Sequence, residues 1–254
     1  MSDLANTGEG PLRPSQDVAA VILAGGFGTR ISHLLGDLPK PMMPVAGRPF
    51  LEWVIRYLAK QGVRHFALST GFRAKAVERH FADNPLAGCT VLCVHENQPM
   101  GTAGGFLHAV TGSGLDSPFW LVANGDSLAL APLDGLLSAV QSRPAGGAIL
   151  GVEVADTSQF GTLRTTLQGG LLSFAEKHPG AGLINAGVYA FPRELLQEFP
   201  ATRPLSFETE VFPALLAKKC PLQIVTSQSP FLDIGTEDSL AQANCFITKH
   251  AHWF

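Results

Sequence analysis

The chain has 254 residues, of which 46 % are hydrophobic and 15 % are charged, and its formal net charge at pH 7 is −3. This composition excludes a disordered chain. The near-neutral charge gives no bulk attraction for nucleic acid. The longest apolar runs, such as residues 18–24, are too short to span a bilayer. We therefore expect a globular protein that binds neither nucleic acid nor membranes.

Two further features of the composition indicate a cytoplasmic protein. The polar N-terminus lacks the basic-then-apolar pattern of a secretory leader. The four cysteines contain no CxxC pair, so we interpret them as reduced thiols and expect no zinc site.

Strand and helix patterns alternate along the first half of the chain. Residues 1–16 are predicted to be a flexible N-terminal tail, and residues 17–254 a single domain. Strands are predicted at residues 18–24, 65–69, 90–95 and 119–123, and helices at residues 50–61, 74–81 and 133–140. Three prolines between residues 31 and 48 predict an irregular loop there. The βαβα order predicts an α/β fold with a largely parallel sheet covered by helices on both faces.

The second half is less regular. Strands are predicted at residues 148–154, 171–175 and 187–191. Ser206 is a candidate N-cap for a helix from Phe207 that Pro213 should kink or restart. Thr236 is the candidate N-cap of the last helix, with Glu237 and Asp238 in its first turn.

The most informative segment is the glycine loop at residues 23–30, Leu-Ala-Gly-Gly-Phe-Gly-Thr-Arg. Its glycines allow a sharp turn whose N–H groups could cradle a phosphate, and Arg30 adds a charged donor. The dinucleotide fingerprint fails because its third glycine position holds Ile31, and no P-loop motif is present. On the loop alone, a plain glycine-rich turn remains the alternative.

Together with a second motif, this loop resembles a known family. Pro-Lys-Pro-Met at residues 39–42 holds Lys40 in a stiff, extended segment. The two motifs resemble the signature of the sugar-1-phosphate nucleotidyltransferases. Further segments agree in order: Gly101-Thr-Ala-Gly-Gly105, Asn124-Gly-Asp126, Phe174-Ala-Glu-Lys177, Leu183-Ile-Asn-Ala-Gly-Val-Tyr189 and Asp233-Ile-Gly-Thr-Glu-Asp238.

The resemblance covers about residues 18–248 and implies a single Rossmann-like nucleotidyltransferase domain with a largely parallel mixed sheet. It also implies Mg²⁺-dependent transfer of a nucleoside monophosphate from a nucleoside triphosphate to a sugar 1-phosphate. Arg30, Lys40 and Asp126 would be the catalytic residues. The implied nucleotide contacts are Leu23, Ala24, Gly25, Gly26, Gly28, Thr29, Glu96, Gly101, Thr102, Asn124 and Gly125.

Asp126 and Asp233 are the candidate Mg²⁺ ligands. Asp126 follows a predicted buried strand, and ligand sites of α/β sheets form at such strand ends. One or two carboxylates plus substrate phosphates commonly hold Mg²⁺. The alternatives are a turn aspartate for Asp126 and a helix-flanking one for Asp233. The family's usual proline before Glu237 is absent, which shortens the turn beside Asp233.

The resemblance implies that Glu96 reads the base. A carboxylate only accepts hydrogen bonds, which suits the adjacent donors of guanine and would also tolerate uracil. An exposed glutamate at a strand end is the alternative interpretation. The candidate sugar-phosphate contacts are Gly161, Glu176, Lys177, Asn185 and Gly187.

Within the family, the sequence resembles the guanylyltransferases that act on D-glycero-D-manno-heptose 1-phosphate. Residues 183–189 and 206–210 carry this narrower resemblance. Mannose 1-phosphate with GTP, or a uridylyltransferase of an amino-sugar phosphate, are alternatives within the class. A catalytically silent subunit that senses nucleotide sugars is the alternative from another class. The C-terminal aromatics could pack on the body or on a second subunit, so a homo-oligomer remains open.

Overall fold

A computed structural model describes residues 18–142, 146–175 and 179–254, so the predicted tail lies outside the described residues. The strands are β1 Val18–Ala24, β2 Pro44–Val45, β3 Arg48–Pro49, β4 His65–Thr70, β5 Thr90–His95, β6 Phe119–Asn124, β7 Ser127–Ala129, β8 Gly147–Val154, β9 Thr162–Thr165, β10 Leu171–Ala175, β11 Gly182–Pro192, β12 Leu222–Ser227 and β13 Phe231–Asp233. The α-helices are α1 Ser32–Leu35, α2 Phe50–Lys60, α3 Ala74–Asp83, α4 Thr102–Gly112, α5 Asp134–Ser142, α6 Phe212–Ala217 and α7 Glu237–Lys249.

One large mixed sheet organises the molecule. Its first half has the order β6-β1-β4-β5, and these strands are all parallel. β11 then pairs antiparallel with β6 and carries β8 and β9 at its other edge. β12 lies parallel to β8, and β10 closes the far edge against β9. The predicted α/β class and the seven predicted strands are confirmed.

Both faces of the sheet are covered by helices, as predicted. Alternate residues of β1 belong to two separate hydrophobic clusters: Val18, Ala20 and Ile22 to one, and Ala19 and Val21 to the other. The first cluster contains the apolar faces of α2, α3, α5 and α7, and the second those of α4 and α6. A strand with both faces buried reads as a continuous apolar run, which is what residues 18–24 show.

Of two segments with awkwardly placed prolines, the first differs in detail from the expectation and the second agrees with it. The stretch with three prolines is not wholly irregular, because it holds α1 and a 3-10 turn at Lys40–Met42. Proline is tolerated at the start of a helical turn, where its missing N–H is not needed. After the Ser206 cap, a π-turn at Phe207–Val211 precedes α6, and Pro213 stands in the first turn of α6. The predicted restart at Pro213 is therefore confirmed.

The C-terminal residues pack on the body of the protein. The Phe254 ring lies 5.2 Å from Trp53, and Trp253 lies 6.1 Å from Tyr57, measured between ring centroids. Within the ranges that the structure describes, none of the helices combines the length and apolarity that crossing a membrane requires.

The N-terminus of α7 depends on a capping box that the sequence only half predicts. Thr236 Oγ1 accepts a hydrogen bond from the N–H of Ser239, and Ser239 Oγ accepts one from the N–H of Thr236. This cap fixes the helix directly behind Asp233. Since a lost N-cap leaves helix N–H groups unsatisfied, Thr236→Ala should lower the free energy of unfolding by about 1 kcal/mol.

Urea unfolding measures this change, and Thr248→Ala on the same helix is the matched control. The Thr248 hydroxyl donates only to the carbonyl of Asn244 on the exposed side. Its removal should change the stability by less than about 0.5 kcal/mol. Equal effects of the two variants would show that the cap contributes nothing particular.

Candidate active site

The site forms where the parallel strands end at one level. Ala24 pairs with Thr70, and Thr70 pairs with His95, so β1, β4 and β5 finish together. The residues that follow these strands therefore meet at the edge of the sheet. The N–H of Glu96 donates to the carbonyl of Thr70 at 2.7 Å, and Gly125, after β6, donates to the carbonyl of Leu23 at 2.9 Å.

The glycines of the loop after β1 serve different physical purposes. A Cβ at Gly25 would lie 2.8 Å from Glu96 Oε1. Gly28 has φ +61°, and a Cβ there would lie 2.9 Å from the Cβ of Lys40. A Cβ at Gly26 would meet no neighbour within 4 Å. The first two glycines thus allow close packing of the chain, whereas Gly26 presents open backbone to a ligand.

This loop is one wall of a cavity of about 430 Å³. Of the predicted nucleotide and catalytic residues, those that line it are Leu23, Gly25, Gly26, Gly28, Thr29, Arg30, Lys40, Glu96, Gly101, Thr102, Asn124 and Asp126. Ala24 and Gly125 do not line it. Ala24 is buried in the core, and a Cβ at Gly125 would lie 2.8 Å from the carbonyl oxygen of Leu23. These two residues lie behind the residues that line the cavity.

Lys40 is the buried charge of the site. It is 5 % exposed, its Nζ donates to Asp126 Oδ2 at 2.6 Å, and it lies 3.8 Å from Asp233 Oδ1. Pairing of β7 with β13 places Ser127 opposite Asp233, and the N–H of Ile234 donates to the carbonyl of Asp126 at 3.0 Å. Two carboxylates that are 107 positions apart in the sequence (233 − 126) are thereby brought to one cation.

The electrostatics of this group favour a further positive charge. Burial raises the pKa of the Asp233 carboxyl, and repulsion by Asp126 raises the pKa further. Lys40, the N–H of Gly235 and Arg30 offset part of this increase. Gly235 has no room for a side chain, since a Cβ there would collide with the carboxylate of Asp233 and lie 2.8 Å from Arg30 Nη2.

Glu96 is a fixed acceptor and not an exposed residue at a strand end. It is half-buried, Ser69 Oγ donates to its Oε1 at 2.6 Å, and the N–H of Met100 donates to its Oε2 at 3.3 Å. These contacts aim the carboxylate at the large cavity, where it is a lining residue.

The segment that follows Arg203 packs against Gly101 and Thr102, which line the large cavity. The carbonyl of Leu205 accepts from the N–H groups of Ala103 and Gly104, at 2.9 and 3.0 Å. The N–H of Phe207 donates to Thr102 Oγ1 at 3.0 Å. Protein groups therefore already satisfy N–H groups in the first turn of α4, so this helix end is not arranged as a phosphate site.

A second cavity of about 220 Å³ adjoins the first. Asn124 lines both, and Asp233, Gly161 and Asn185 line the second. Gly187 has φ +70° and packs closely against the Asn124 side chain, so it shapes the cavity from behind. The predicted residues Glu176 and Lys177 lie outside the described residues.

Sequence reasoning missed one charged residue of the second cavity, Glu208, which lines it beside Asn185. The signal was present, since Glu208 belongs to the segment 206–210 that carries part of the family resemblance. Asn185 also has fewer free hydrogen-bonding groups for a ligand than expected. Its Oδ1 accepts from the N–H of Gly187, and its Nδ2 donates to Tyr189 Oη and to Glu208.

The donor set suits a metal that is shared with a substrate. Across the described ranges, no group of three or more His, Cys, Asp or Glu side chains could hold a metal ion. Asp126 and Asp233 alone supply two carboxylates, and Mg²⁺ accepts such a set when phosphate oxygens and water complete its shell.

Comparison with known proteins agrees with this geometry. The chain is 35 % identical over 238 residues to mannose-1-phosphate guanylyltransferase of Mycobacterium tuberculosis, covering 92 % of this chain and 66 % of that protein, slightly less than two thirds of its length. It is 30 % identical over 223 residues to D-glycero-alpha-D-manno-heptose 1-phosphate guanylyltransferase of Campylobacter jejuni, covering 86 % and 95 % of the two chains.

A solved structure shares the fold. The crystal structure of HddC from Yersinia pseudotuberculosis complexed with GMP-PN superposes with a TM-score of 0.79 at 29 % identity, covering 90 % of this chain and 99 % of that one. Residues 19–250 match the family described as nucleotidyl transferase. The chain therefore belongs to the nucleotidyl transferase family, as the glycine loop and the Pro-Lys-Pro segment predict.

Proposed function

We propose that the protein is a sugar-1-phosphate guanylyltransferase, which transfers GMP from GTP to a sugar 1-phosphate and releases pyrophosphate. The observation that carries this proposal is the meeting of Lys40, Asp126 and Asp233 where two adjoining cavities share Asn124. The larger cavity suits a nucleotide and the smaller a sugar, so their phosphates would meet at this charged centre.

In the proposed reaction, an oxygen of the sugar phosphate attacks the α-phosphorus of GTP. The new phosphorus–oxygen bond forms as the bond to the bridging oxygen of pyrophosphate breaks, and that oxygen keeps the electron pair. Both reactants are anions, so the barrier consists largely of charge repulsion and orientation. Positioned positive groups can lower it without a covalent enzyme intermediate.

Arg30 and Lys40 are the side chains that would supply positive charge to the phosphates. The open backbone at Gly26 and the guanidinium of Arg30 would hold the leaving pyrophosphate. Lys40 Nζ has three donors, and one already contacts Asp126. The other two remain to bridge oxygens at the reacting centre.

Asp126 and Asp233 would hold the Mg²⁺ ion. When bound, the ion neutralises phosphate charge and polarises the phosphorus–oxygen bonds. Burial raises the pKa of Asp233, and the charge of Asp126 raises it further; a bound cation would favour the charged form of both carboxylates and relieve their repulsion.

Glu96 is the proposed reader of guanine. Its carboxylate is held by Ser69 and Met100 and could accept from the adjacent N1–H and amino group of guanine. The names of the relatives, both guanylyltransferases, support guanine over uracil.

The proposed acceptor is D-glycero-D-manno-heptose 1-phosphate, and mannose 1-phosphate is the alternative. The heptose relative matches over 95 % of its own length, whereas the mannose relative matches with the higher identity of 35 %. The product would be a nucleotide sugar for surface polysaccharide, made in the cytoplasm. A silent sensing subunit is disfavoured, since the charged groups of the site are all present.

Pyrophosphate release tests this proposal. The purified protein with Mg²⁺ is assayed with GTP, UTP, CTP, dTTP and ATP, each with a panel of hexose and heptose 1-phosphates. We expect release with GTP and a manno-configured 1-phosphate, and none when the divalent cation is chelated. Nucleotide-sugar binding without release from any pair would favour the sensing subunit.

The two carboxylates provide a second test. Asp126→Asn and Asp233→Asn each remove a negative charge that would hold the metal, so kcat should fall by about 100-fold or more. Asp83→Asn, at the exposed end of α3, is the matched control and should retain its activity. Near-normal turnover of either site variant, with an unchanged circular dichroism spectrum, would remove that residue as a metal ligand.

Glu96→Gln tests the base assignment. An amide offers one acceptor oxygen and a donor group, so the preference for GTP over other triphosphates should fall by about 10-fold or more. The ratio of kcat/KM values for GTP and UTP measures this preference. Glu78→Gln on the exposed side of α3 is the control, and an unchanged ratio in the Glu96 variant would contradict the assignment.

A further inference from the structure

The small cavity contains a carboxylate that the reaction described above does not use. Glu208 is half-buried, lies in the π-turn after Ser206, and lines this cavity together with Asn185 and Asp233. A carboxylate in this place is costly to bury unless its hydrogen-bonding capacity is used. Its partners therefore show what capacity remains for a ligand.

Three protein donors hold the Glu208 carboxylate. Tyr189 Oη donates to Oε1 at 3.1 Å, Asn185 Nδ2 donates to Oε1 at 3.3 Å, and Ser206 Oγ donates to Oε2 at 3.1 Å. A carboxylate has about four lone-pair positions. The described residues fill three of them, both on Oε1 and one on Oε2. One position on Oε2 is left for a donor in the cavity.

The surroundings keep this acceptor rigid. Burial raises the pKa of Tyr189 well above its usual range, and the nearby charge of Glu208 raises it further, so the phenol stays a donor. Tyr189 is 1 % exposed and packs against Phe207 and Phe212, with ring centroids 4.9 and 5.2 Å away. The Glu208 carboxylate is thus fixed from behind by a side chain that cannot move away.

Asn185 is a weaker acceptor than this carboxylate, because its amide oxygen is neutral and one of its two lone-pair positions is filled. Its oxygen already accepts from the N–H of Gly187 at 3.0 Å, and its amide nitrogen is directed at Tyr189 and Glu208. Asn185 therefore acts as a positioning residue for the carboxylate. Glu208 and Asp233 are the two carboxylates among the described residues of this wall. Because Asp233 is assigned to the metal, Glu208 is the charged acceptor that remains for another ligand group.

We propose that Glu208 accepts a hydrogen bond from a ring hydroxyl of the sugar 1-phosphate and determines which sugars the small cavity takes. This inference rests on the proposed function, because it needs a sugar in that cavity. A site built to bind a hydroxyl discriminates strongly against an analogue that lacks it, since the buried polar group is then left unpaired. Glu208 would therefore select for one hydroxyl of the acceptor.

The test compares the wild-type chain with Glu208→Gln. It uses whichever proposed acceptor binds the wild type more tightly, D-glycero-D-manno-heptose 1-phosphate or mannose 1-phosphate, together with the 2-, 3-, 4- and 6-deoxy analogues of that sugar phosphate. Calorimetric binding and kcat/KM are measured for each analogue. The wild type should lose about 10- to 100-fold in both for one deoxy analogue, as expected for a hydrogen bond to a charged group. In Glu208→Gln, the loss caused by that same deoxygenation should shrink to about 3-fold or less.

Glu210→Gln is the matched control. Glu210 lies in the same π-turn, but its carboxylate accepts from the N–H of Ser206 at 2.6 Å, and it does not line the cavity. An amide oxygen can still accept that bond, so Glu210→Gln should keep the wild-type discrimination. The KM for GTP should be unchanged in both variants, which separates a sugar contact from a general loss of structure.

The outcomes distinguish this inference from the proposed function. If the wild type turns over sugar 1-phosphates and Glu208→Gln keeps the same discrimination, the inference alone is overturned. If sugar phosphates bind without pyrophosphate release from any triphosphate, the proposed function is overturned and the binding data still test Glu208. If neither D-glycero-D-manno-heptose 1-phosphate nor mannose 1-phosphate binds, both are overturned.

Discussion

Three neighbouring parallel strands end at the same height in the sheet, and the rest of the site depends on this constraint. β1, β4 and β5 are in register through Ala24, Thr70 and His95, so their next residues must share one edge of the sheet. That edge receives the glycine loop and Glu96 together, although they are about 70 residues apart in the sequence. The glycine at position 25 is then required, because a side chain there would meet Glu96 Oε1.

A second constraint is the balance of charge around Lys40. A lysine that is 5 % exposed needs partners, and Asp126 and Asp233 supply them. The arrangement is not self-sufficient, since two carboxylates share one lysine and the pKa of Asp233 is raised. A centre of this kind is prepared for added cationic charge on one side and for phosphate on the other, which is what nucleotidyl transfer between two anions requires.

The segment from Leu205 to Glu208 packs against residues that line the large cavity and itself lines the small one. Its carbonyl at Leu205 caps α4 beside the large cavity, and its residue Glu208 lines the small cavity. Phe207 between them is fully buried against Phe191 and Phe212. Because this segment packs against residues 101–104 beside the large cavity and also lines the small cavity, the two cavities share one packed support.

The sequence by itself determined the α/β class, the order of the main strands and helices, the family and most residues of the large cavity. These follow from local patterns: apolar runs that fit buried strands, helical periodicity, and motifs such as residues 23–30 and 39–42. Only the tertiary structure decided that Asp126 and Asp233 meet, because the pairing of β7 with β13 joins distant parts of the chain. It also decided that Asn185 donates to Glu208 and that Glu208 keeps a free acceptor position, since hydrogen-bond partners depend on packing that no local pattern contains.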